Sequence, residues 1–276
     1  MKLNYQLAHQ RLLADSADKK VLELLSATKG FQQPDINSLS AKQFLNIAKH
    51  LELTEASVRM ALSRQTKQGK LNRDDGRYTL TRNQNPYVVP RFWLDIKYRC
   101  QPWKQDWLLV SFTDAKLSIT VSRRLVRRME LLGLKFVPNL GWLRPNNLSE
   151  LQQEVSYDLS NATQSNDFVC AILTSLDTNQ QVRFQKLWPL AQLNQFYVDA
   201  EIYISEEMNR TESLPDDDIL KRSFAIGRLL VEQLSIDPWL PEEMIDVNAR
   251  ERLIRTSTSY YQQIKPAWLN ILEQDQ

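Results

Sequence analysis

The sequence predicts an α+β protein built in three consecutive parts, residues 1–88, 89–178 and 179–276. Three observations predict it. The first part shows helical apolar spacing that ends in a basic, Gly-punctuated stretch with strand character. Between residues 107 and 173, short apolar runs alternate with helical segments. After residue 179 the apolar residues keep helical spacing almost throughout. Only 6 glycines occur in 276 residues, which favours helices over an all-β design. The length suffices for two or three cores.

Residues 18–28 (DKKVLELLSAT) carry Val21, Leu22, Leu24 and Leu25 and read as a first helix. A polar break with Gly30 and Pro34 follows. Ser40 is placed to cap a second helix, AKQFLNIAKHL, whose inner face is Phe44, Leu45, Ile47, Ala48 and Leu51. Leu53-Thr54 makes a short turn, and Thr54 caps a third helix reaching about Gln68. Gly69 suits the left-handed conformation that ends helices. Lys70–Arg73 and Arg77–Leu80 read as strands joined by Asp75-Gly76, a pair favoured in tight hairpins. Helix, turn, helix and hairpin in that order make a winged helix-turn-helix.

Residues 83–90 (NQNPYVVP) read as a linker. Then come a strand at Trp107–Phe112, a helix at Val121–Leu132 stopped by Gly133, and strands at Leu134–Val137 and Leu140–Arg144 around Pro138-Asn139. A helix at Leu148–Leu159 and a strand at Phe168–Leu173 complete a βαββαβ order, the ferredoxin-like arrangement. Three helices follow: one over Arg183–Ile204, one opening at Asp216–Asp218, and one over about Val247–Leu272. Asp237-Pro238-Trp239-Leu240-Pro241 separates the last two.

The net charge of +2 conceals an asymmetry. Residues 1–82 carry a net +6, residues 83–145 a net +7, and residues 146–276 a net −11. A basic front half suits a polyanionic partner. No apolar run approaches the ~20 residues of a membrane span, and the start, MKLNYQLAHQ, lacks the apolar core of a secretory signal. Cys100 and Cys170 are far apart and suit a reducing compartment. A cytoplasmic location is expected.

Duplex DNA is the expected partner, because the second helix of such a motif enters the major groove. Val58, Ala61 and Leu62 recur at i, i+3, i+4 and face inward. Thr54, Ser57, Arg59, Ser63, Arg64, Lys67, Lys70, Arg73 and Arg77 are the candidate DNA contacts. Ser57 and Arg59 are placed for base edges, since Arg can bond guanine O6 and N7 together. Arg64, Lys67 and Lys70 suit phosphates, and Arg73 and Arg77 flank the hairpin turn. Asp74 and Asp75 at its tip oppose deep contact with DNA. A second cluster, Arg123, Arg124, Arg127 and Arg128, could meet phosphates, an acidic ligand or acidic residues of the chain itself.

No catalytic or metal site is expected. His9 and His50 lack metal-ligand spacing, and no phosphate-binding or nucleophile-elbow motif occurs. Two alternatives stay open: a metal-dependent nuclease using Asp114, and a module binding RNA or a protein through Arg123–Arg128.

Three segments resemble the PaaX-like repressors of phenylacetic acid degradation. They are Ala56–Leu71 (ASVRMALSRQTKQGKL), the region of Trp107–Val110 with Arg123–Pro145 (ending LLGLKFVPNLGWLRP), and Leu220–Pro241 running into DPWLPEEM. The chain departs from the family pattern at Gln65 and Lys70, where Leu and Trp are usual. No cofactor is expected, and the resemblance implies a homodimeric transcriptional repressor with a winged helix-turn-helix, a ferredoxin-like, Cas2-like middle domain and a helical C-terminal domain. It also implies release from DNA by a small effector, an aryl-CoA thioester.

Overall fold

The computed structural model describes residues 3–28, 38–81, 97–112, 118–163 and 168–273. The fold is mixed α+β, with two small antiparallel sheets. Its contacts divide the chain into two units, neither continuous in sequence. One comprises Met1–Arg91, Phe196–Glu232 and Arg250–Gln276; the other comprises Phe92–Gln195 and Gln233–Ala249.

The first unit opens with α1 (Tyr5–Ala14) and α2 (Ala17–Thr28). Helix α1 was not expected from sequence. It buries only Ala8 and Leu12, too few to leave a clear stripe, and Asn4 caps its first turn. A two-residue strand β1 (Leu39–Ser40) leads into α3 (Ala41–His50). Ser40 and Gln43 form a reciprocal capping box at its start. Helix α4 (Glu55–Lys67) begins at Thr54, whose side chain accepts from the Ser57 amide. Gly69 ends it at φ +68°.

Strands β2 (Leu71–Asp74) and β3 (Arg77–Leu80) form the expected hairpin. Asp75 and Gly76 both take positive φ, as a primed two-residue turn requires. The sheet order is β1-β3-β2, with Leu39 opposite Tyr78 and Arg73 opposite Tyr78 across the other edge. Val21, Leu24, Leu39, Phe44, Ile47, Val58, Leu62 and Leu71 bury its core.

Three later helices contribute to this unit: α8 (Leu190–Thr211), α9 (Asp216–Ser235) and α10 (Val247–Glu273). Glu207 of α8 is fully buried and is held by Arg222 of α9 at 2.7 Å and Arg210 at 2.6 Å. The Arg222 guanidinium also lies 4.1 Å from the Tyr5 ring centre, tying α1 to α9. Arg228 of α9 pairs with Asp15 and, at 2.5 Å, with Glu23 of α2. These pairs satisfy charges that burial alone would make costly.

The second unit holds β4 (Trp107–Phe112), α5 (Ile119–Leu131), β5 (Lys135–Val137), β6 (Gly141–Pro145), α6 (Leu151–Thr163), β7 (Phe168–Leu173) and α7 (Thr178–Gln185). The strand order is β5-β6-β4-β7, antiparallel throughout. Each βαβ step therefore skips over a strand. The single helix expected over Arg183–Ile204 is in fact two, α7 and α8. Pro189 lies between them and has no N–H to continue a helical ladder.

Trp107 is the hub of this unit. Its ring meets Trp103 at 5.3 Å, Phe184 at 5.4 Å and Trp188 at 6.0 Å, and its N–H donates to Gln181 Oε1 at 2.7 Å. Nearby, Arg144 is fully buried without a carboxylate in its hydrogen bonds. It donates to the carbonyls of Leu132 and Pro145 and to Asn147 Oδ1, and burial lowers its pKa to about 10. Asn147 in turn donates to the Trp239 carbonyl at 2.8 Å. The segments that carried the second and third likenesses thus meet in space. Pro238 lies so close to Gly133 that a Cβ there would sit 2.9 Å from its Cα.

Candidate nucleic-acid interface

Helix α4 turns Val58, Ala61, Leu62 and Gln65 inward, against α2 and α3. At about 100° per residue, those four centre on one side of the helix. The opposite side carries Ala56, Met60, Ser63 and Lys67, all exposed. Arg59 and Arg64 lie on its two flanks, about 70° from the middle on either side. The face is therefore cationic at its edges and at Lys67, and carries Met60 near its centre. The expected inner stripe is present as read from sequence. Met60 went unremarked there, although its angular position was already fixed by Val58, Ala61 and Leu62.

Each expected contact residue has a place. Thr54 caps α4, and the Ser57 hydroxyl donates to the Thr54 carbonyl at 2.7 Å, so both side chains serve the helix start. Arg59 is exposed and paired with Glu55 one turn earlier at 2.6 Å. Such a pair, fully wetted, is worth only ~0.3–0.5 kcal/mol and yields readily to a phosphate or base. Arg64 bonds Asp18 of α2 at 2.7 Å, an anchor of α4 onto its neighbour. Ser63 and Lys67 are exposed.

The hairpin is mixed. Arg73 is exposed, with its guanidinium 5.6 Å from the Tyr78 ring centre. Arg77 is half-buried and engaged in the fold: Nε donates to Ser38 Oγ at 2.7 Å and Nη2 to the Ser38 carbonyl at 2.8 Å. It fastens β1 to the hairpin. Lys70 is half-buried at the helix exit, its amide donating to the Gln65 carbonyl. The structure thus brings Arg59, Ser63, Lys67 and Arg64 onto one helical surface and gives Arg77 a structural partner.

The second cluster divides. Arg128 of α5 bonds Asp158 at 2.6 Å and Glu154 at 2.8 Å on α6, clamping the two helices. Arg123 and Arg127 are exposed. The Arg124 side chain and Asp114 lie outside the described residues. His50 pairs with Asp217 at 3.5 Å, and Cys100 and Cys170 are not joined in a disulfide. Among the described residues, no group of three or more His, Cys, Asp or Glu comes together to hold a metal ion. None of the described helices is long and apolar enough to cross a membrane.

No model of a known protein family matches the chain, and no curated protein does. Among solved structures, it is similar to an uncharacterized protein, Rv0674, from Mycobacterium tuberculosis, with a TM-score of 0.58 and 17% identity. The match covers 91% of this chain and 98% of that one. At that identity the likeness speaks for the fold alone.

Proposed function

We propose that the chain is a DNA-binding transcriptional repressor of the PaaX-like type, a cytoplasmic homodimer released from its operator by a small effector such as an aryl-CoA thioester. The observation that carries the reading is α4: an exposed, cation-edged helical face, preceded by α3 and followed by a β-hairpin. That sequence of elements supports a winged helix-turn-helix. The antiparallel order β5-β6-β4-β7 with intervening helices supports a ferredoxin-like, Cas2-like middle domain. The effector and dimer rest on the family resemblance.

Selection from a randomised duplex pool tests the DNA reading. The wild-type chain should enrich a pseudo-palindrome with half-sites about one turn, ~34 Å, apart. Arg59→Ala should cost ~1–3 kcal/mol and relax preference at one position. Equal binding of every duplex by both proteins would sink the assignment. For the effector, a bound thioester at ~100 times its dissociation constant adds ~2.7 kcal/mol of stability. Thermal shift against acyl-CoA thioesters reads this, and no shift with any of them would remove the effector class.

A further inference from the structure

Met60 is 59% exposed, and it is the large apolar side chain that α4 turns outward. It lies about 30° from the pole of the outer face, opposite Val58, Ala61, Leu62 and Gln65. Ala56, one turn before it, is exposed beside it. Arg59 and Arg64 stand on the flanks. The N-terminal half of the outer face is therefore a small apolar patch, Ala56 and Met60, between two cations, and Ser63 and Lys67 continue the face toward the helix end. Neither cation is buried: Arg59 is 59% and Arg64 54% exposed in their side chains.

A duplex major groove presents the complementary pattern. Its walls are phosphate ridges, and its floor carries base edges, among which the thymine C5-methyl is the one apolar group. The groove is about 12 Å wide, close to the diameter of a helix with its side chains. Arg64 on one flank then faces a wall, while Met60, in the N-terminal half of the outer face, turns toward the floor beside Arg59. We infer that Met60 reads a thymine methyl in the operator, beside the base edge that Arg59 reads. This rests on the DNA-binding reading and assigns one element of its specificity. A thioether with three rotatable bonds adapts well to such a contact.

Deoxyuridine replacement tests it, because it removes the methyl and leaves every hydrogen-bonding group in place. The duplex enriched by the full wild-type chain is remade with each thymine changed singly to deoxyuridine. At one position per half-site, wild-type affinity should fall roughly fourfold, the effect of losing one buried carbon. Met60→Ala should bind the thymine and deoxyuridine duplexes alike, whereas Met60→Leu should retain a preference for thymine. Both variants sit on an exposed helical position and keep good helix formers. A wild type indifferent to the methyl at every position overturns the inference while leaving DNA binding intact. So does an unchanged thymine preference in Met60→Ala. A wild type that selects no duplex at all removes the DNA reading, and this inference with it.

Discussion

Gln65 sits on the inner side of α4 at 2% exposure, and its Oε1 accepts no hydrogen bond among the described residues. A buried acceptor left without a donor costs about 1–3 kcal/mol. Leucine has a similar volume and no polar atoms to satisfy. Gln65→Leu should therefore raise stability by roughly 1 kcal/mol, which thermal unfolding reads as a Tm increase of about 2–4 °C. A lowered Tm would show that the amide is satisfied in solution. Sequence alone placed Val58, Ala61 and Leu62 inward by their spacing, and it identified Arg59 and Lys67 as outward. It did not identify Arg77 as structural. That role depends on Ser38, 39 residues earlier, and no local pattern records such a partner.

At the scale of elements, legibility followed local chemistry. Thr54, Ser40, Gly69 and Asp75-Gly76 signal their ends and turns through groups within a few residues, and each was readable. Strand positions in the second unit were readable too, but their neighbours were not, because pairing joins residues far apart. The turn after α5 shows how much one position can depend on a distant one. Gly133 has φ +76°, and a Cβ would meet Pro238, whose segment lies a hundred residues on. Gly69 has nearly the same φ, +68°, with nothing within 4 Å. Gly69→Ala should cost the left-handed penalty, about 1–2 kcal/mol. Gly133→Ala should cost more, since backbone must also shift. Thermal unfolding of the two variants measures the difference, and equal losses would mean that the Pro238 segment moves aside freely.

On the scale of the whole molecule, a charge cluster joins the N-terminal helices to α9. Burial pushes the Asp15 carboxyl up, but hydrogen bonds and charge from Arg228 and Lys19 outweigh it and hold the pKa below its ordinary value of 3.8. A depressed carboxyl contributes stability above its unfolded pKa and loses it as pH falls through the folded one. Asp15→Asn should therefore lower Tm at pH 7, and the gap from wild type should close as pH drops below about 4. A constant gap would assign the loss to packing. Glu23 has the opposite sign: burial outweighs Arg228 and keeps its pKa raised, so it takes up a proton earlier on acidification. The cluster was illegible in sequence because Asp15 and Arg228 stand 213 residues apart.

That separation has a consequence for how the protein is made. Ribosomes deliver a chain from its N-terminus at roughly 5–20 residues per second. Residues 3–81 emerge before the helices that complete their unit, and their partners Arg222 and Arg228 follow on the order of ten seconds later. Until then Lys19 is the cation that Asp15 and Glu23 have at hand. Helix α4 is synthesised well before α9, and the unit that contains it is completed only when α10 has been made.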